Sequence, residues 1–383
     1  MRKGGKLESW KVERLGDVIQ LEYGKPLDAS KRSEDGKYPV YGANGEIARS
    51  NEYYYDKPTM IVGRKGSAGE INLTEKKFWA LDVTYFVTFD DKKYDLQFLY
   101  YLLSKLELTK LAKGVKPGIN RNDVYSIEVV IPPLPEQQRI VSVLDEAFAS
   151  IAQAKSNDER NLVNARELFA SVLQETFTGS TSEKWQTKKL EDVCSLVTDG
   201  KHGDSENESN SGYYFLSAKN IKDGTLSYDD AREITKKDFE ETHRRTNLMP
   251  FDICMVNTGA TIGKIALAPD DPKTFRTTFQ KSVAIIKPIS SIIDNAFCCY
   301  HLKSDLEKLL KVSSGSAQKN LLIGDMKNHL VRVPPLAEQR AIVGRLEALS
   351  AETGRLEEIY QSKVEALEEL KKSVLAKAFE GEI

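Results

Sequence analysis

Two glycine turns carry the residue types that most directly suggest chemistry in this chain. The segment Gly259-Ala-Thr-Ile-Gly263-Lys264 is spaced almost like a phosphate-binding loop, which needs four residues between its glycines and a hydroxyl side chain after the lysine. Here three residues separate the glycines and isoleucine follows the lysine, so no nucleoside triphosphate site is predicted. A second turn, Arg64-Lys-Gly-Ser-Ala-Gly69, lies in the first half. Such turns can offer N–H groups and cations to DNA phosphates; the alternative is a hairpin that simply needs glycine.

Aromatic, amide and ammonium side chains cluster in other segments. Tyr38–Asn44 is rich in tyrosine and asparagine, and Asp199–Gly203 supplies a lysine and a histidine. Such side chains can stack on bases or donate hydrogen bonds to them, although a packed strand or a solvated loop has the same composition. The residues predicted to contact DNA are Tyr41, Asn44, Arg64, Lys65 and Ser67 in the first half, and His202, Lys219, Asn220, Thr258, Thr261, Gln280 and Lys281 in the second.

The sequence contains no set of residues that predicts catalysis. Its four histidines are scattered without the spacing of metal ligands, and no Gly-x-Ser-x-Gly motif is present. No catalytic or metal-binding residue is therefore predicted. A dispersed nuclease site built from Asp, Glu and Lys stays open as an alternative, because such a site has no fixed spacing along a chain.

A duplication organises the chain that must position these residues. Residues 132–179 and 334–381 are two copies of one segment, the first beginning Pro-Pro-Leu-Pro-Glu-Gln and the second Pro-Pro-Leu-Ala-Glu-Gln, and their ends align without a gap. A second, weaker sequence similarity aligns Trp185 with Trp10. The predicted domains are a globular domain at 1–131, a helical segment at 132–179, a second globular domain at 180–333 and a second helical segment at 334–383.

Each helical segment is predicted to form one long helix. Pro-Pro-Leu stops the preceding strand, Glu136 and Glu338 place a carboxylate in the first turn, and Gly179 and Gly381 are natural stops. About 43 residues of helix fit between these signals, which is about 65 Å. The apolar residues with coiled-coil spacing are Leu144, Phe148, Ile151, Leu162, Ala165, Phe169 and Val172 in the first copy, and Leu346, Leu349, Leu356, Tyr360, Leu367, Leu370 and Val374 in the second.

The fold class predicted from this pattern is α+β. Both globular segments contain short β-type runs punctuated by glycine, and each has one helical stretch, Leu96–Leu111 or Asp294–Lys311. If the two seams pair, connectivity makes the long helices antiparallel and relates the two similar domains by a pseudo-two-fold axis. Similar scaffolds with different loops suggest different ligands.

Composition excludes several classes of protein. With 383 residues, 40% hydrophobic and 29% charged, the chain is expected to be globular, soluble and cytoplasmic, since no apolar run predicts a membrane span or a signal peptide. Its four cysteines are expected to be reduced core thiols. A net charge of −2 does not itself indicate DNA binding, but the globular segments are slightly basic and the helical segments acidic.

With these features in place, the chain resembles a specificity subunit of a type I restriction-modification system over nearly its full length. The residues that match the family's conserved regions are Pro132, Pro133, Leu134, Glu136 and Gln137, and Pro334, Pro335, Leu336, Glu338 and Gln339. The globular segments match more loosely, through their glycine turns and through Asp123 and Asp325. The chain departs from a strict repeat at Arg139, whose counterpart Arg340 lies one position earlier in register.

The resemblance implies a non-catalytic subunit whose two domains each read half of a split double-stranded DNA target. It implies that the helices set the spacer and dock two adenine methyltransferase subunits, and through them motor-nuclease subunits. Partner contacts are then expected at Pro133, Leu134, Glu136, Gln137, Pro335, Leu336, Glu338 and Gln339. S-adenosylmethionine, ATP and Mg would be bound by partner subunits. A stand-alone nuclease or methyltransferase, or a scaffold that binds proteins, are the competing hypotheses.

Overall fold

The computed structural model describes residues 9–74, 77–179, 184–222, 224–312 and 320–383, with the backbone alone at residue 312. The chain divides into two compact units. Unit 1 comprises Met1–Glu159 and Gln361–Ile383, and unit 2 comprises Arg160–Tyr360. Unit 1 is therefore built from two separate stretches of sequence, whereas unit 2 is contiguous. Among the described residues, no helix combines the length and the apolar character needed to cross a membrane.

In the part of unit 1 that the structure describes, nine strands and three short helices precede the long helix. The strands are β1 (Lys11–Arg14), β2 (Gln20–Tyr23), β3 (Tyr38–Gly42), β4 (Gly45–Ser50), β5 (Met60–Gly63), β6 (Ile71–Leu73), β7 (Trp79–Ala80), β8 (Thr84–Thr88) and β9 (Glu128–Ile131). The helices are α1 (Leu15–Val18), α2 (Leu96–Lys105), α3 (Arg121–Tyr125) and the long α4 (Leu134–Thr178), which continues into unit 2. Short 3-10 turns lie at Ala29–Lys31 and Leu108–Leu111.

Unit 2 has counterparts of these strands and, among its described residues, further strands and helices of its own. Its strands are β10 (Gln186–Lys189), β11 (Cys194–Asp199), β12 (Tyr214–Leu216), β13 (Ile221–Lys222), β14 (Thr225–Leu226), β15 (Arg232–Glu233), β16 (Ile253–Val256), β17 (Ile265–Leu267), β18 (Thr277–Phe279), β19 (Val283–Pro288) and β20 (Leu330–Val333). Its helices are α5 (Leu190–Val193), α6 (Lys236–Thr246), α7 (Asn295–Ser304), α8 (Leu306–Val312), α9 (Ile323–Asn328) and the long α10 (Leu336–Phe379), which ends in unit 1. Short 3-10 turns lie at Ala218–Asn220 and Thr274–Arg276.

The sheets of the two units have the same topology. The four-stranded antiparallel sheet has the order β2-β8-β5-β6 in unit 1 and β11-β19-β16-β17 in unit 2. In the three-stranded sheets, the central strand pairs antiparallel with one neighbour and parallel with the other, in the orders β4-β3-β7 and β15-β12-β18. The pairs β1-β9 and β10-β20 are also equivalent. The internal duplication therefore extends through both globular parts.

The long helices pack antiparallel within each unit. In unit 1, Ile140 and Leu144 near the start of α4 share a core with Ala378 and Phe379 at the end of α10. An ion pair between Lys155 and Glu368 joins the same two helices. The prediction of α+β domains with an antiparallel pair of long helices is confirmed.

Unit 2 shows the reverse arrangement of the two helices. Leu173 and Phe177 at the end of α4 pack with Ile342 and Leu346 at the start of α10. Arg166 and Glu357 form an ion pair across the two helices, with a nitrogen–oxygen distance of 2.7 Å. Opposite ends of the same two helices thus complete the core of each unit.

Some local predictions differ from the structure. The predicted stretch Leu96–Leu111 is helix α2 followed by a 3-10 turn, and Asp294–Lys311 is two helices, α7 and α8. Leu370 was expected in the seam, but its side chain is 47% exposed. Val374, which was predicted in the same seam, and its neighbour Leu375 pack against the core of unit 1 instead. The four cysteines are buried and free, as expected.

Candidate nucleic-acid interface

The turn between β5 and β6 is closed by backbone hydrogen bonds that require glycine. Gly63 donates to the carbonyl of Glu70, and Gly69 donates back to the carbonyl of Gly63, both over 2.8 Å. Gly66 and Gly69 have φ of 81° and 88°, in the left-handed region that favours glycine. The backbone of this turn is therefore fixed independently of the side chains it displays.

Arg64 is tied at its backbone to two other segments of unit 1. Its N–H donates to Val83 O over 2.9 Å, and its carbonyl accepts from Ile119 N over 3.0 Å. Its guanidinium donates to Asp82 O and lies 5.3 Å from the centre of the Tyr23 ring. The arginine is therefore held at the end of the sheet by backbone and side chain alike.

Unit 2 repeats this framework with different side chains. The equivalent hydrogen bonds run from Val256 N to Lys264 O (2.7 Å), from Gly263 N to Val256 O (2.8 Å), from Asn257 N to Ser282 O (3.0 Å) and from Leu321 N to Asn257 O (2.8 Å). Gly259 and Gly263 have φ of 105° and 91°. Asn257 therefore occupies the place of Arg64, a correspondence that sequence spacing did not reveal because the two turns differ in length.

Asn257 presents a buried amide next to this turn. Its side chain is almost fully buried, and its Oδ1 has no hydrogen-bond partner among the described residues. Sequence reasoning selected its neighbours Thr258 and Thr261, which are half-buried and exposed respectively. The signal that could have found Asn257 is the alignment of its strand with that of Arg64.

The predicted residues of unit 1 separate into a surface group and a core residue. Lys65 is exposed and Ser67 is half-buried on the glycine turn, and Asn44 is exposed at the tip of the β3–β4 hairpin. A Cβ placed on Gly63 would lie 2.7 Å from the carbonyl oxygen of Ala43, so the hairpin tip touches the turn. The structure therefore brings Asn44, Arg64, Lys65 and Ser67 together.

Tyr41 does not belong to this surface group. It is 7% exposed and packs edge-on against Phe78, with ring centres 5.9 Å apart. A DNA contact by Tyr41 remains a prediction, and it would require the ring to leave this core.

In unit 2 the predicted loops also converge. The Lys201 N–H donates to Phe279 O over 2.7 Å, and Lys281 N donates to Lys201 O over 3.0 Å, so His202 lies beside Gln280 and Lys281. His202 is exposed, with its Nε2 2.9 Å from Asp199 Oδ2. The bond from Asn257 N to Ser282 O joins the glycine turn to the same region.

Helix α6 anchors this loop. Arg245 donates to the carbonyls of Asp199 and Gly200. Lys201 Nζ lies 3.1 Å from Asp238 Oδ1. Burial lowers the pKa of Lys201, but the hydrogen bond and charge of Asp238 outweigh it, so the pKa is raised and the lysine stays charged. Neither contact with α6 was predicted from the sequence, because each joins residues that are far apart in the chain.

Lys219 and Asn220 have different environments. Lys219 is exposed on a 3-10 turn, whereas Asn220 is 2% exposed. The Asn220 side chain accepts from Ser217 N over 3.0 Å and donates to Ser227 O over 3.2 Å. Asn220 therefore holds the turn that displays Lys219, and its own contact with DNA remains a prediction.

The residues predicted to bind partners are also divided between surface and core. Pro133 and Pro335 are exposed, and Leu134 and Leu336 are half-buried. Gln137 and Gln339 are fully buried, with their amides bonded inside their own units. Any influence of the two glutamines on a partner would therefore pass through the position of the helix.

The two repeated glutamates have different partners. Glu136 accepts a bidentate pair of hydrogen bonds from Arg139, each 2.9 Å. Glu338 instead accepts from Trp185 Nε1 over 3.0 Å. Grooves of about 440 and 680 Å³ lie beside Leu134 in unit 1 and beside Pro335, Leu336 and Glu338 in unit 2.

Two histidines that are separate in sequence meet in unit 2. His329 Nε2 lies 3.2 Å from Asp305 Oδ2, and His301 Nδ1 lies 3.4 Å from the same oxygen. The three groups are close enough to hold a metal ion. However, His301 Nε2 accepts the N–H of Arg332 over 2.9 Å, so in the neutral ring Nδ1 carries the hydrogen. That nitrogen has no lone pair for a metal, and the set fits a buried ionic cluster better than a metal centre.

Electrostatics support this reading of the cluster. Burial lowers the pKa of His301 to about 4. Burial would raise the pKa of Asp305, but hydrogen bonds from His329 and Lys308 and the neighbouring positive charges outweigh it and lower the pKa to about 2. At neutral pH the cluster therefore contains an ionised carboxylate and a neutral His301.

Comparison with known proteins identifies the family. The profile of the "Type I restriction modification DNA specificity domain" matches residues 7–159 and 182–366. The chain belongs to this family. The EcoDI specificity subunit of Escherichia coli is 24% identical, with 99% of this chain and 90% of that protein covered. The MjaVIII specificity subunit of Methanocaldococcus jannaschii is also 24% identical, with 98% and 93% covered.

Solved structures show the same fold. A chain from a structure concerned with complex assembly and conformational transition of the type I R-M system has a TM-score of 0.74 at 19% identity, with 98% of each chain covered. The HsdS subunit from Thermoanaerobacter tengcongensis has a TM-score of 0.60 at 17% identity, with 100% of this chain and 99% of that chain covered. The family match and the curated relatives, together with this shared fold, identify the chain as a type I specificity subunit, a class of subunit that is non-catalytic by itself.

Proposed function

We propose that this specificity subunit reads a bipartite, asymmetric DNA sequence, with each unit binding one half. The observation that carries the proposal is the repeated turn, whose framework holds Arg64 in unit 1 and Asn257 in unit 2 at equivalent positions. Arginine pairs with guanine and asparagine with adenine through two hydrogen bonds each, and Asn257 must turn its buried amide outward to do so. One framework with different side chains therefore suits a target whose halves differ. Residues 1–131 and 180–333 are the proposed target-recognition domains.

The long helices, at residues 132–179 and 334–383, are proposed to set the spacer between half-sites and to dock two methyltransferase subunits. Pro335, Leu336 and Glu338 line the groove of unit 2, and Leu134 lines the groove of unit 1, so these two grooves are the proposed docking sites. Motor-nuclease subunits would join through the methyltransferases. S-adenosylmethionine, ATP and Mg would be bound by these partner subunits.

Domain exchange tests the reading function. Residues 180–333 would be replaced by those of a relative with a different known target, and adenine methylation would be mapped across the genome of a host carrying the complete system. We expect one half of the recognised sequence to change and the other to persist. The reciprocal exchange of residues 1–131 should change the other half. Methylation in which neither half follows the exchanged domain would reject the proposal.

Helix extension tests the spacer role separately. Insertion of seven residues into each long helix adds about 10 Å of helix, which corresponds to about three base pairs of B-DNA. The spacer should lengthen by about that amount while both half-sequences stay unchanged. An unchanged spacer in an assembled, active complex would exclude a ruler function but leave DNA reading intact.

A further inference from the structure

Tyr23 of unit 1 is a half-exposed aromatic residue that contacts two arginines. Its ring is 48% exposed, and the guanidinium carbons of Arg64 and Arg121 lie 5.3 and 5.2 Å from its centre. Tyr85 packs against the same ring, with ring centres 5.1 Å apart. Arginine stacks on aromatic faces, so Tyr23 holds two cations beside the glycine turn.

A projecting loop, residues Lys113–Gly118, is joined to the same turn. Lys113 and Gly118 exchange two backbone hydrogen bonds of 3.0 Å, which close the loop. Gly66 N donates to Pro117 O over 2.9 Å and fixes the loop against the turn. Val115 and Lys116 are exposed on the loop. The loop therefore extends the surface that carries Arg64 and Lys65.

The charge of this surface is poorly balanced within the chain. Lys113 forms an exposed ion pair with Asp123 over 3.1 Å. Among the residues that the structure describes, no carboxylate forms an ion pair with Lys65, Lys116 or Arg121. Gathering like charges costs free energy that a polyanion can offset.

The surface is not repeated in unit 2. Strand register and the repeated hydrogen bonds place Asp199, Asn257 and Ile323 at the positions of Tyr23, Arg64 and Arg121. Those three side chains carry no positive charge. The cationic cluster is therefore a property of unit 1 and not a requirement of the shared fold.

We propose that Tyr23, Arg121, Lys65 and Lys116 form a clamp for the phosphate backbone of duplex DNA beside the bases faced by Arg64. Tyr23 is a positioning residue that orients both arginines, and Arg121 and the two lysines contact phosphates. This clamp rests on the proposed function and deepens it. At the glycine turns, unit 1 should therefore contribute most of the salt dependence of the affinity for DNA. Contacts with phosphates release counterions, whereas contacts with bases do not.

Salt titration tests the clamp. The chain assembled with its methyltransferase subunits would be bound to a random-sequence duplex and to a duplex carrying the methylated target, over a series of salt concentrations. In the double variant Lys65→Ala/Lys116→Ala, the slope of log affinity against log salt should fall in magnitude by about two on both duplexes. The matched control is Lys37→Ala/Lys92→Ala, which removes two exposed lysines of the same unit, one before β3 and one after β8, at the ends of those strands away from the glycine turn, and should leave the slope unchanged.

The outcomes separate the two proposals. If the wild-type complex binds neither duplex, the proposed function fails. If it binds, but both lysine pairs change the slope equally or neither changes it, only the clamp is rejected. Tyr23→Phe should preserve the affinity for DNA because the ring remains. Tyr23→Leu should weaken DNA binding several-fold, and this loss should not be explained by a fall in the unfolding temperature. Equal binding by Tyr23→Leu and wild type would also overturn the clamp.

Discussion

Gln137 and Gln339 make the same three hydrogen bonds in their respective units. Each side-chain oxygen accepts the N–H of the N-cap aspartate of α2 or α7, Asp95 or Asp294, over 2.9 or 2.7 Å. Each amide nitrogen donates to two carbonyls, one of them the first proline of Pro-Pro-Leu. The repeated glutamine is thus a buried connection between a long helix and the helix of the adjacent globular part.

Replacing that glutamine should destabilise the unit that contains it. Gln137→Leu leaves the N–H of Asp95 and two carbonyls without partners, and we expect a loss of about 3 kcal/mol in the free energy of unfolding. Gln138→Leu, at the exposed neighbouring position, should change stability by less than about 0.5 kcal/mol. Urea unfolding of both variants measures the difference. Similar stability of the two variants would show that the buried amide contributes little.

The two glycines of the first turn should differ in their tolerance of alanine. Gly66→Ala meets only the strain of positive φ, because a Cβ there has free space, and should cost about 1 to 2 kcal/mol. At Gly69 a Cβ would also lie 2.6 Å from Leu108 O, so we expect a cost above about 3 kcal/mol. Thermal unfolding should rank the variants in this order. The reverse order would mean that the turn rearranges.

The stability of unit 2 should decrease as the pH is lowered, because His301 is buried. With its pKa lowered by burial from 6.5 to about 4, His301 is neutral in the folded state while the unfolded chain takes up a proton. The stabilisation is complete above about pH 6.5 and is lost as pH falls toward 4, a change of roughly 3 kcal/mol. Protonation of Asp305, whose pKa is lowered to about 2, adds a further loss below about pH 4.

His301→Gln isolates that effect, because an amide oxygen can still accept from Arg332 N without titrating. Unfolding would be followed by Trp185 fluorescence in a Trp10→Phe/Trp79→Phe background, since Trp185 lies in the core of unit 2. The variant should have a flatter stability profile between pH 6.5 and 4. His202→Gln, at an exposed site, should keep the wild-type profile. A profile unchanged by His301→Gln would place the titrating group elsewhere.

Arg64 and Asn257 should control different halves of the target. If each reads a base, Arg64→Ala should relax one half by about 1 to 3 kcal/mol of discrimination and leave the other half unaltered, while Asn257→Ala should do the converse. Single-molecule methylation mapping in a host carrying the whole system measures both halves at once. Methylation with both halves unaffected by Arg64→Ala would reject the assignment of that residue.

The sequence was sufficient to predict features that depend on local pattern. Pro-Pro-Leu and the closing glycines bracket α4 and α10, which begin at Leu134 and Leu336 and end at Thr178 and Phe379. These limits are readable because proline, glycine and apolar spacing act within a few residues. The same holds for the short strands around the glycine turns.

Features that depend on distant contacts were not predictable. The segment around Tyr41 has the composition of an exposed loop, but the Tyr41 side chain on β3 packs on Phe78. Tyr23 and Arg121 come together only when the chain closes the sheet of unit 1, and His301 and His329 meet only through Asp305. The repetition of Gln137 in both halves indicates that the residue has a role. The sequence alone does not show whether that role is a hydrogen bond inside the unit or a contact with a partner.

The division of unit 1 into two stretches has a consequence for synthesis. A ribosome delivers residues 1–159 first, yet Ala378 and Phe379 of the same core emerge only after all of residues 160–360. Unit 2, contiguous in sequence, receives its last residue earlier. The half of the molecule that is translated first is therefore the half that is completed last, and until then its nascent core must wait with an open apolar face.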